Sequence, residues 1–243
     1  MPSLRLASYN IHCGIGRDGR FSEQRILDVL REIDADVVAL QEVESLASGI
    51  DMLAWLADKT DSHAVAGTTL IHADGHYGNG LLARCPIVAS EVLDLSWRGR
   101  EPRGAIAADI DCAGEKLRVV ATHLGLRPAE RREQVEHLLR LFRQRPGERA
   151  VLLGDLNEWF LWGRPLRRLH AYFSETPAPA TFPSISPFLA LDRMWTHPRK
   201  ILRELKVHNS GTARIASDHL PLVAEIELSP APKPHASEPE GKE

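Results

Sequence analysis

The chain has 243 residues, of which 43% are hydrophobic, and this is enough for a sizeable core in one large domain or two small ones. Its 30 basic and 33 acidic residues give a formal net charge of −3, which argues against strong nonspecific binding to DNA. No apolar run approaches the roughly 18 residues of a membrane-spanning helix, and the N-terminus enters an alternating strand without a leader. We therefore predict a cytoplasmic protein without a transmembrane segment.

The three cysteines, Cys13, Cys85 and Cys112, are odd in number and widely separated. They form neither a CxxC pair nor a zinc-binding spacing. This pattern predicts free thiols in a reducing compartment.

Strand and helix signals alternate in the first part of the chain. Residues 4–11 form a predicted strand. Ser22 caps a predicted helix, whose apolar residues recur at the spacing of one buried helical face. Residues 36–41 read as a short buried strand that ends at Glu42, and residues 50–58 as a second helix.

The middle of the chain is dominated by strand signals separated by glycine, proline and aspartate. Strands are predicted over residues 64–71, 79–84, 87–95, 103–111 and 115–122. Consecutive strands of this kind favour antiparallel hairpins.

Helices and strands alternate again in the last part. Pro128 opens a helix, at the position where its missing N–H costs least, and a strand that ends in Gly154 follows. A short helix is predicted near 164–171, and the "PAPATFPSISP" segment is predicted to be a loop. Further strands are predicted near 191–196, 201–208 and 221–227. Mixed sheets with helices outside are the architecture that this order favours.

The domain organisation is simple, because we find no internal repeat and no internal linker. One domain is predicted over residues 3–228. Residues 229–243 are proline-rich, polar and without periodicity, which predicts a disordered C-terminal tail.

Polar side chains stand at the ends of several predicted strands. Asp155 and Asn157 follow an apolar strand and, being two residues apart in extended chain, point to the same side. Similar positions at a strand end or start are held by Asn10, Glu42, His123, Asp192 and residues 217–219. Carboxylates and amides with few imidazoles and no thiolates match Mg²⁺ or Mn²⁺ better than Zn²⁺.

Each of these residues also has an ordinary structural explanation. Asn10 could cap a strand end, Glu42 could be a solvated carboxylate, and Asp192 could pair with a nearby arginine. Asp155 and Asn157 could form an Asx turn, which is the usual role of such residues after glycine. Only the combination favours a functional site.

Seven short motifs occur in a fixed order: "SYNIH", "LQEV", "GNGLL", "ATHL", "GDLNE", "LDRMW" and "SDHLP". The set resembles the endonuclease/exonuclease/phosphatase (DNase I-like) superfamily of Mg²⁺-dependent phosphodiesterases over nearly the whole chain before the tail. The resemblance implies a four-layer α/β sandwich, with two mixed, mostly antiparallel sheets packed face to face and helices outside. It also implies that the parts of this sandwich arose by duplication of one half.

The resemblance further implies a set of metal ligands, with Mg²⁺ or Mn²⁺ as the cofactor. Glu42 is the expected principal metal carboxylate, and Asn10 is expected beside it. Asp218 resembles a further ligand or a residue that supports one.

Catalytic roles follow from the same resemblance. His219 is expected close to the scissile phosphate, with Asp192 as the carboxylate that sets its tautomer. Asp155 is the other candidate for activating water, and the choice between Asp155 and His219 as general base stays open. Asn157 is expected to donate to a phosphoryl oxygen, and His123 to bind the phosphate or assist the leaving group.

Two further residues are candidate substrate ligands. Asn79 lies between glycines, so that a substrate contact and a tight turn explain it equally well. Arg103 could reach a phosphate, although pairing with Glu101 or Asp109 is the more ordinary explanation.

Two neighbouring stretches are open to two interpretations each. The arginines at the start of the helix after His123, which are Arg127, Arg131 and Arg132, either line an anionic pocket or form a mixed solvated face with Glu130 and Glu133. The aromatic residues Trp159, Phe160 and Trp162 either contact a lipid or a base, or pack beneath their own loop.

The function implied is metal-dependent hydrolysis of a phosphodiester, with either a phospholipid-type or other small diester or a nucleic acid as the substrate. Members that cleave at abasic sites share an Asn-x-Tyr-x-Pro-Asn segment where this chain has "ATHLGLRP", which argues against abasic-site repair. A histidine there resembles members acting on phospholipid or inositol phosphodiesters, and the DNase I type. A DNA nuclease is the alternative enzyme.

A non-catalytic binding module on the same scaffold is the alternative of another class. Weak contact with a membrane surface is compatible with the aromatic stretch. No obligate protein partner is expected.

Overall fold

The computed structural model describes residues 3–46, 49–73 and 75–228. The tail predicted over 229–243 lies outside the described residues, and the domain boundaries of 3–228 stay a prediction. In chain order the elements are β1 (Ser3–Asn10), α1 (Glu23–Ile33), β2 (Val37–Leu46), α2 (Met52–Thr60), β3 (His63–His72), β4 (Gly75–Ala83), β5 (Ile87–Asp94), β6 (Gly104–Cys112), β7 (Glu115–His123), α3 (Pro128–Arg143), β8 (Ala150–Asp155), α4 (Arg164–Phe173), β9 (Asp192–His197), β10 (Leu202–Val207), α5 (Gly211–Ala216) and β11 (Leu222–Glu227).

The strands form two mixed sheets. One has six strands in the order β10-β11-β1-β2-β4-β3, and the other has five in the order β5-β6-β7-β8-β9. Helices α1, α2 and α5 pack on the outer face of the six-stranded sheet, and α3 and α4 on that of the five-stranded sheet. Apolar residues of both inner faces, such as Leu6 and Leu153, form the core between the sheets. The predicted four-layer α/β sandwich is confirmed.

Local signals in the sequence account for α1. The Ser22 hydroxyl accepts a hydrogen bond from the backbone N–H of Arg25 at 3.3 Å, as an N-cap residue should. Ile26, Val29, Leu30 and Ile33 are buried on one face, and each contributes about 1.5–3 kcal/mol by leaving water. We therefore attribute this helix to its cap and its apolar spacing.

Two elements depart from the sequence prediction. Strand β2 does not end at Glu42 but continues to Leu46 beyond a β-bulge, where its register against β4 shifts between Leu40 and Val43. Helix α5 was not predicted, because six residues are too few to show helical periodicity. Ser210 caps α5 by accepting from the N–H of Ala213 at 3.0 Å.

The chain topology brings the predicted site residues to one edge of the sandwich. Strands β1 and β2 are parallel, as are β7 and β8, so their carboxyl ends share an edge. Strands β9 and β11 run antiparallel to these neighbours and begin at that edge, where Asp192 pairs with Asp155. We call this edge of both sheets, marked by Asn10, Glu42, His123 and Asp155, the site edge.

Cys85 and Cys112 are paired in a disulfide, with their Cα atoms 5.3 Å apart. Cys85 follows β4 in one sheet and Cys112 ends β6 in the other, so the bond joins the two sheets opposite the site edge. Cys13 is the free cysteine of the described residues. The prediction of free thiols is wrong for this pair, because only the packing of the sheets brings the two residues together, and the inference of a reducing compartment loses its basis.

None of the helices in the described part of the chain is long and apolar enough to cross a bilayer.

Candidate active site

Asn10 connects the two sheets at the site edge. Its Nδ2 atom donates to Oε1 of Glu42 at 3.0 Å and to Oδ2 of Asp155 at 3.2 Å. Its Oδ1 atom accepts from the backbone N–H of His12 at 3.0 Å, and this contact turns the amide nitrogen towards the two carboxylates. One amide thus holds carboxylates from different sheets close together.

His219 stands on the other side of Asp155. Its Nδ1 atom lies 2.8 Å from Oδ2 of Asp192, and its Nε2 atom lies 3.7 Å from Oδ2 of Asp155. All three side chains are buried. A hydrogen bond to Asp192 through Nδ1 leaves Nε2 facing Asp155, as a carboxylate that orients a histidine should.

The charges of this group are strongly coupled. Burial disfavours a charged imidazole, but the nearby carboxylates, above all Asp192 and then Asp155, raise the pKa of His219 well above its usual range. Burial also raises the pKa of Asp155, an effect that the charge of His219 opposes and that of Asp192 adds to. His219 is therefore a charged donor aimed at Asp155 at neutral pH.

His123 forms a different kind of group with two donors. Its Nδ1 atom lies 3.1 Å from Nη1 of Arg103, and its Nε2 atom lies 3.0 Å from Nδ2 of Asn157. Burial, then the charges of Arg103 and His219, lower the pKa of His123 well below its usual range, so the ring is neutral. This part of the site is rich in N–H donors, and Nε2 of His123 lies 3.6 Å from Oδ2 of Asp155.

Asp155 serves the backbone as well as the site. Its Oδ1 atom accepts from the backbone N–H of Asn157 at 2.8 Å, which is an Asx turn. Its Oδ2 atom faces Asn10 and His219. Asp155 therefore both closes an Asx turn and lies in the candidate site.

Unusual backbone conformations cluster around these residues. Glu42 and Asn157 have φ values of 56° and 50°, and His12 and Cys13 beside Asn10 also have positive φ. Each such residue other than glycine costs about 1–3 kcal/mol and persists where its surroundings require it. Strain of this kind is common at functional sites.

Gly154 is required for steric reasons. Its φ is 148°, and a Cβ atom at this position would lie 1.9 Å from the carbonyl oxygen of Thr122 on the neighbouring strand. The close approach sets the direction in which Asp155 leaves β8. The glycine of "GDLNE" therefore positions the carboxylate that follows it.

The remaining predicted site residues lie in different surroundings. Asp218 is partly exposed beside His219, and its charge helps to raise the pKa of His219. Asn79 is buried within β4, and its Nδ2 atom donates to the carbonyl oxygen of Gly104 at 3.0 Å. The tight-turn interpretation of Asn79 is wrong, and its role as a substrate ligand stays a prediction.

Several ion pairs differ from the simple explanations given above. Arg103 pairs with Glu101 at 3.1 Å, as expected, but Asp109 pairs with other arginines. Asp192 does not pair with an arginine through a side-chain hydrogen bond among the described residues, because Oδ2 is shared by His219 and Thr181.

Arg131 and Glu158 form a buried ion pair next to the site. Nε and Nη2 of Arg131 each lie 3.2 Å from a Glu158 oxygen, and Nη1 donates to the carbonyl oxygens of Gly125 and Leu126. Both interpretations, a pocket lining and a solvated face, are wrong for Arg131, whereas Arg127 is exposed, as on a solvated face. The pair joins the segment after His123 to the segment after Asn157.

Thr181 and Phe182 contact the site and were not singled out from the sequence, whereas Ser217 was named among the polar residues at strand ends. Thr181 Oγ1 donates to Oδ2 of Asp192 at 2.6 Å, and the ring of Phe182 lies 4.9 Å from that of His219, centroid to centroid. Ser217 Oγ donates to the carbonyl oxygen of Asn10 at 2.7 Å. Ser217 stands in the "SDHLP" motif, but nothing in the sequence marks Thr181, which lies in an irregular segment.

The donor set fits a hard divalent cation. Asp155, Asp192 and Asp218 place carboxylates around the ring of His219, and Glu42 is linked to Asp155 through Asn10. Oδ1 of Asp192 is buried without a hydrogen-bond partner among the described residues. Ligand atoms of Asp155, Asp192 and His219 lie within 4.8 Å of one another. Since Asp192 and His219 already bond to each other, the oxygens of Glu42, Asn10 and Asp218 are the alternative set.

The fold and this cluster define a class of protein. The profile of the Endonuclease/Exonuclease/phosphatase family matches residues 7–219, and the chain therefore belongs to that family. The motif resemblance is thereby confirmed.

Individual relatives agree with this assignment. The chain is 32% identical over 246 residues to the uncharacterized protein YbhP of Escherichia coli strain K12, a match that covers 93% of this chain and 97% of YbhP. An endonuclease/exonuclease/phosphatase structure from Beutenbergia cavernae has a TM-score of 0.76 and 26% identity, covering 94% of this chain and 72% of that one. A Bacteroides vulgatus structure of the same description has a TM-score of 0.78 and 19% identity, covering 94% and 100%.

Proposed function

We propose that the protein is a Mg²⁺- or Mn²⁺-dependent phosphodiester hydrolase. The observation that carries the proposal is the meeting of two unlike walls at the site edge. The carboxylates of Glu42 and Asp155, joined by Asn10, form what we call the carboxylate wall. Arg103, Asn157 and His123 form the donor wall, and Nε2 of His123 lies 3.6 Å from Oδ2 of Asp155. A cation and an anionic diester need this combination.

The donor wall suits the diester. Nonbridging phosphoryl oxygens only accept hydrogen bonds, and a pentacoordinate transition state carries more charge on them than the substrate does. Arg103, Asn157 and neutral His123 contact one another here. A bound phosphate would take over N–H donors of this group in place of their mutual contacts. Asn157 is oriented by its second donation, to the carbonyl oxygen of Leu124 at 2.9 Å.

The carboxylate wall suits the cation. Glu42, Asn10 and Asp218 would hold the ion, which would neutralise charge on the phosphoryl oxygens. Asn10 contributes by keeping Glu42 and Asp155 at fixed separation through its Nδ2 atom.

Proton transfer is assigned to Asp155, His219 and Asp192. Asp192 fixes the ring of His219 through Nδ1, and Nε2 of His219 and Oδ2 of Asp155 then stand 3.7 Å apart, within reach of one shared water. When His219 is charged, Asp155 takes the proton of the attacking water and His219 stabilises the developing negative charge. When His219 has lost its proton, Nε2 can take the proton of the water instead. Substrates of both classes named above, phospholipid-type diesters and nucleic acids, are compatible with this chemistry.

The test is hydrolysis of bis(p-nitrophenyl) phosphate with Mg²⁺ or Mn²⁺, compared with EDTA. We expect metal-dependent turnover that falls by at least about 100-fold in Asp155→Ala. Asp58→Ala, which removes an exposed carboxylate on α2, is the matched control and should keep full turnover. If neither this compound nor a panel of natural diesters is hydrolysed with either metal, the alternative of a binding module replaces the enzyme.

A further inference from the structure

Residues 159–162, which we call the apolar loop, are a run of four exposed large hydrophobic side chains. Trp159, Phe160, Leu161 and Trp162 are 56%, 59%, 56% and 71% exposed. The prediction that they pack beneath their loop is therefore wrong. The run begins two residues after Asn157, directly beside the site.

The apolar loop is held in a fixed conformation. The backbone N–H of Phe160 donates to Oε1 of Glu158 at 3.2 Å, and that of Gly163 to the carbonyl oxygen of Phe160 at 3.0 Å. Glu158 is in turn fixed by buried Arg131. Because the backbone is anchored to the protein interior, the side chains stay presented to solvent.

Other exposed hydrophobic side chains also lie at the site edge. Among the described residues, the only exposed large hydrophobics away from the site edge are Val88 and Val92 on β5. The others stand in connections, at strand ends or, for Ile215, in α5 before Ser217; examples are Leu126 after β7 and Phe188 before β9. An apolar surface concentrated in this way is typical of a binding face.

Arginines are interleaved with these side chains. Arg98, Arg127, Arg164 and Arg167 are exposed at the same edge, and none of them forms a salt bridge within the part of the chain that the structure describes. Tryptophan and arginine together are the residues that favour the interface of a bilayer, where rings enter the headgroup region and guanidinium groups meet lipid phosphates.

We propose that the site edge docks on the surface of an anionic lipid bilayer, with the apolar loop inserted among the headgroups. The inference rests on the proposed function and narrows its substrate to the phosphodiester of a lipid headgroup. Docking in this orientation brings headgroup phosphates to Asn157 and Asp155, because the apolar loop begins two residues after Asn157.

The composition of the surface favours lipid over the other occupants. Leu126, Leu161 and Ile185 are exposed aliphatic side chains, which bury well in acyl chains but offer no ring for stacking on a nucleic-acid base. A symmetric second copy would bring the same unpaired arginines together, which repel one another.

The experiment measures binding to sedimented vesicles of phosphatidylcholine alone and of phosphatidylcholine mixed equally with phosphatidylglycerol, in the presence of EDTA. We expect the wild type to bind the anionic vesicles, with a blue shift of tryptophan fluorescence. Trp159→Ser combined with Trp162→Ser should weaken binding by at least about tenfold, because two exposed rings are lost without a core contact. Val88→Ser, an equally exposed position on β5, should bind like the wild type and keep turnover of the soluble diester.

The outcomes separate the inference from the proposed function. Absence of vesicle binding by the wild type, or equal binding by the double variant, would overturn the docking surface. Loop-dependent binding of a single-stranded oligonucleotide without vesicle binding would assign the surface to nucleic acid, and loop-dependent dimerisation would assign it to a second copy. Vesicle binding by a protein that hydrolyses no diester would contradict the enzyme and leave the docking surface standing.

Discussion

Single side chains at the site edge serve two purposes. Asp155 closes an Asx turn with one oxygen and faces Asn10 and His219 with the other. Asn10 likewise accepts from His12 and donates to two carboxylates. A substitution therefore changes both local backbone and site charge, and tests of function need variants that change as little geometry as they can.

Glu42→Gln keeps the size of the side chain and removes its charge. We expect affinity for Mn²⁺ to fall by about tenfold or more, because hard cations bind carboxylate oxygens more strongly than amide oxygens. Isothermal titration calorimetry measures the change. Glu44→Gln, further along the same strand and partly exposed, is the control, and equal affinity of Glu42→Gln and wild type would remove Glu42 from the ligand set.

His219→Ala removes the ring that faces Asp155. Turnover of the soluble diester should fall by about 100- to 10,000-fold, the usual contribution of a general acid or base, while Mn²⁺ affinity is retained. Stopped assays at saturating metal measure the rate. His208→Ala removes a surface histidine paired with Glu32 and should have no such effect; an active His219→Ala would exclude the proposed proton transfer.

At the scale of elements, the strand that carries Asp155 depends on a glycine. In Gly154→Ala the added methyl group meets the carbonyl oxygen of Thr122, and the residue keeps a φ of 148° that alanine rarely adopts. We expect the free energy of unfolding to fall by about 3 kcal/mol or more, measured by urea denaturation. Gly211→Ala at the start of α5 is the control, because its added methyl group meets no atom within 4 Å and the free energy of unfolding should hardly change. An equally small loss of unfolding free energy in Gly154→Ala would show that β7 and β8 can move apart to make room for the methyl group.

The ion pair between α3 and the apolar loop makes a second prediction at this scale. Glu158→Ala leaves Arg131 buried without its partner, which should cost about 3–5 kcal/mol of unfolding free energy. Replacing both residues by apolar ones, Arg131→Met with Glu158→Leu, should recover most of that loss. Chemical denaturation of the wild type, of Glu158→Ala and of the double variant measures these free energies. A double variant as unstable as Glu158→Ala would contradict the charge-based explanation.

At the scale of the whole molecule, the disulfide joins the two sheets at the end opposite the site. Cys85 and Cys112 are 27 residues apart, and closing a loop of this length stabilises the folded state by about 3–4 kcal/mol in the chain-entropy model. Reduction with dithiothreitol should lower the free energy of unfolding by that amount. A thiol titration of the unfolded, unreduced protein should find Cys13 alone, whereas three reactive thiols would show that the bond does not form.

Much of the architecture could be predicted from local patterns. The cap and spacing of α1, the alternation of β1 and the apolar strand before Asp155 reflect hydrogen bonding and burial within a few residues, so the sequence displays them directly. Even the ends of the strands, with their polar residues, follow from this local order. The bulge at Glu42 and the short helix α5 do not, because one depends on the neighbouring strand and the other has too few residues for a period.

The sequence by itself determined the family motifs, the succession of strands and helices, and the set of residues at the strand ends. Only the tertiary structure decided which partners those residues have: Asp192 with His219 and Thr181, Arg131 with Glu158, and Cys85 with Cys112. It also decided that the apolar loop faces solvent. The reason is physical, since contacts between remote segments depend on how two sheets pack and leave no periodic trace in either segment.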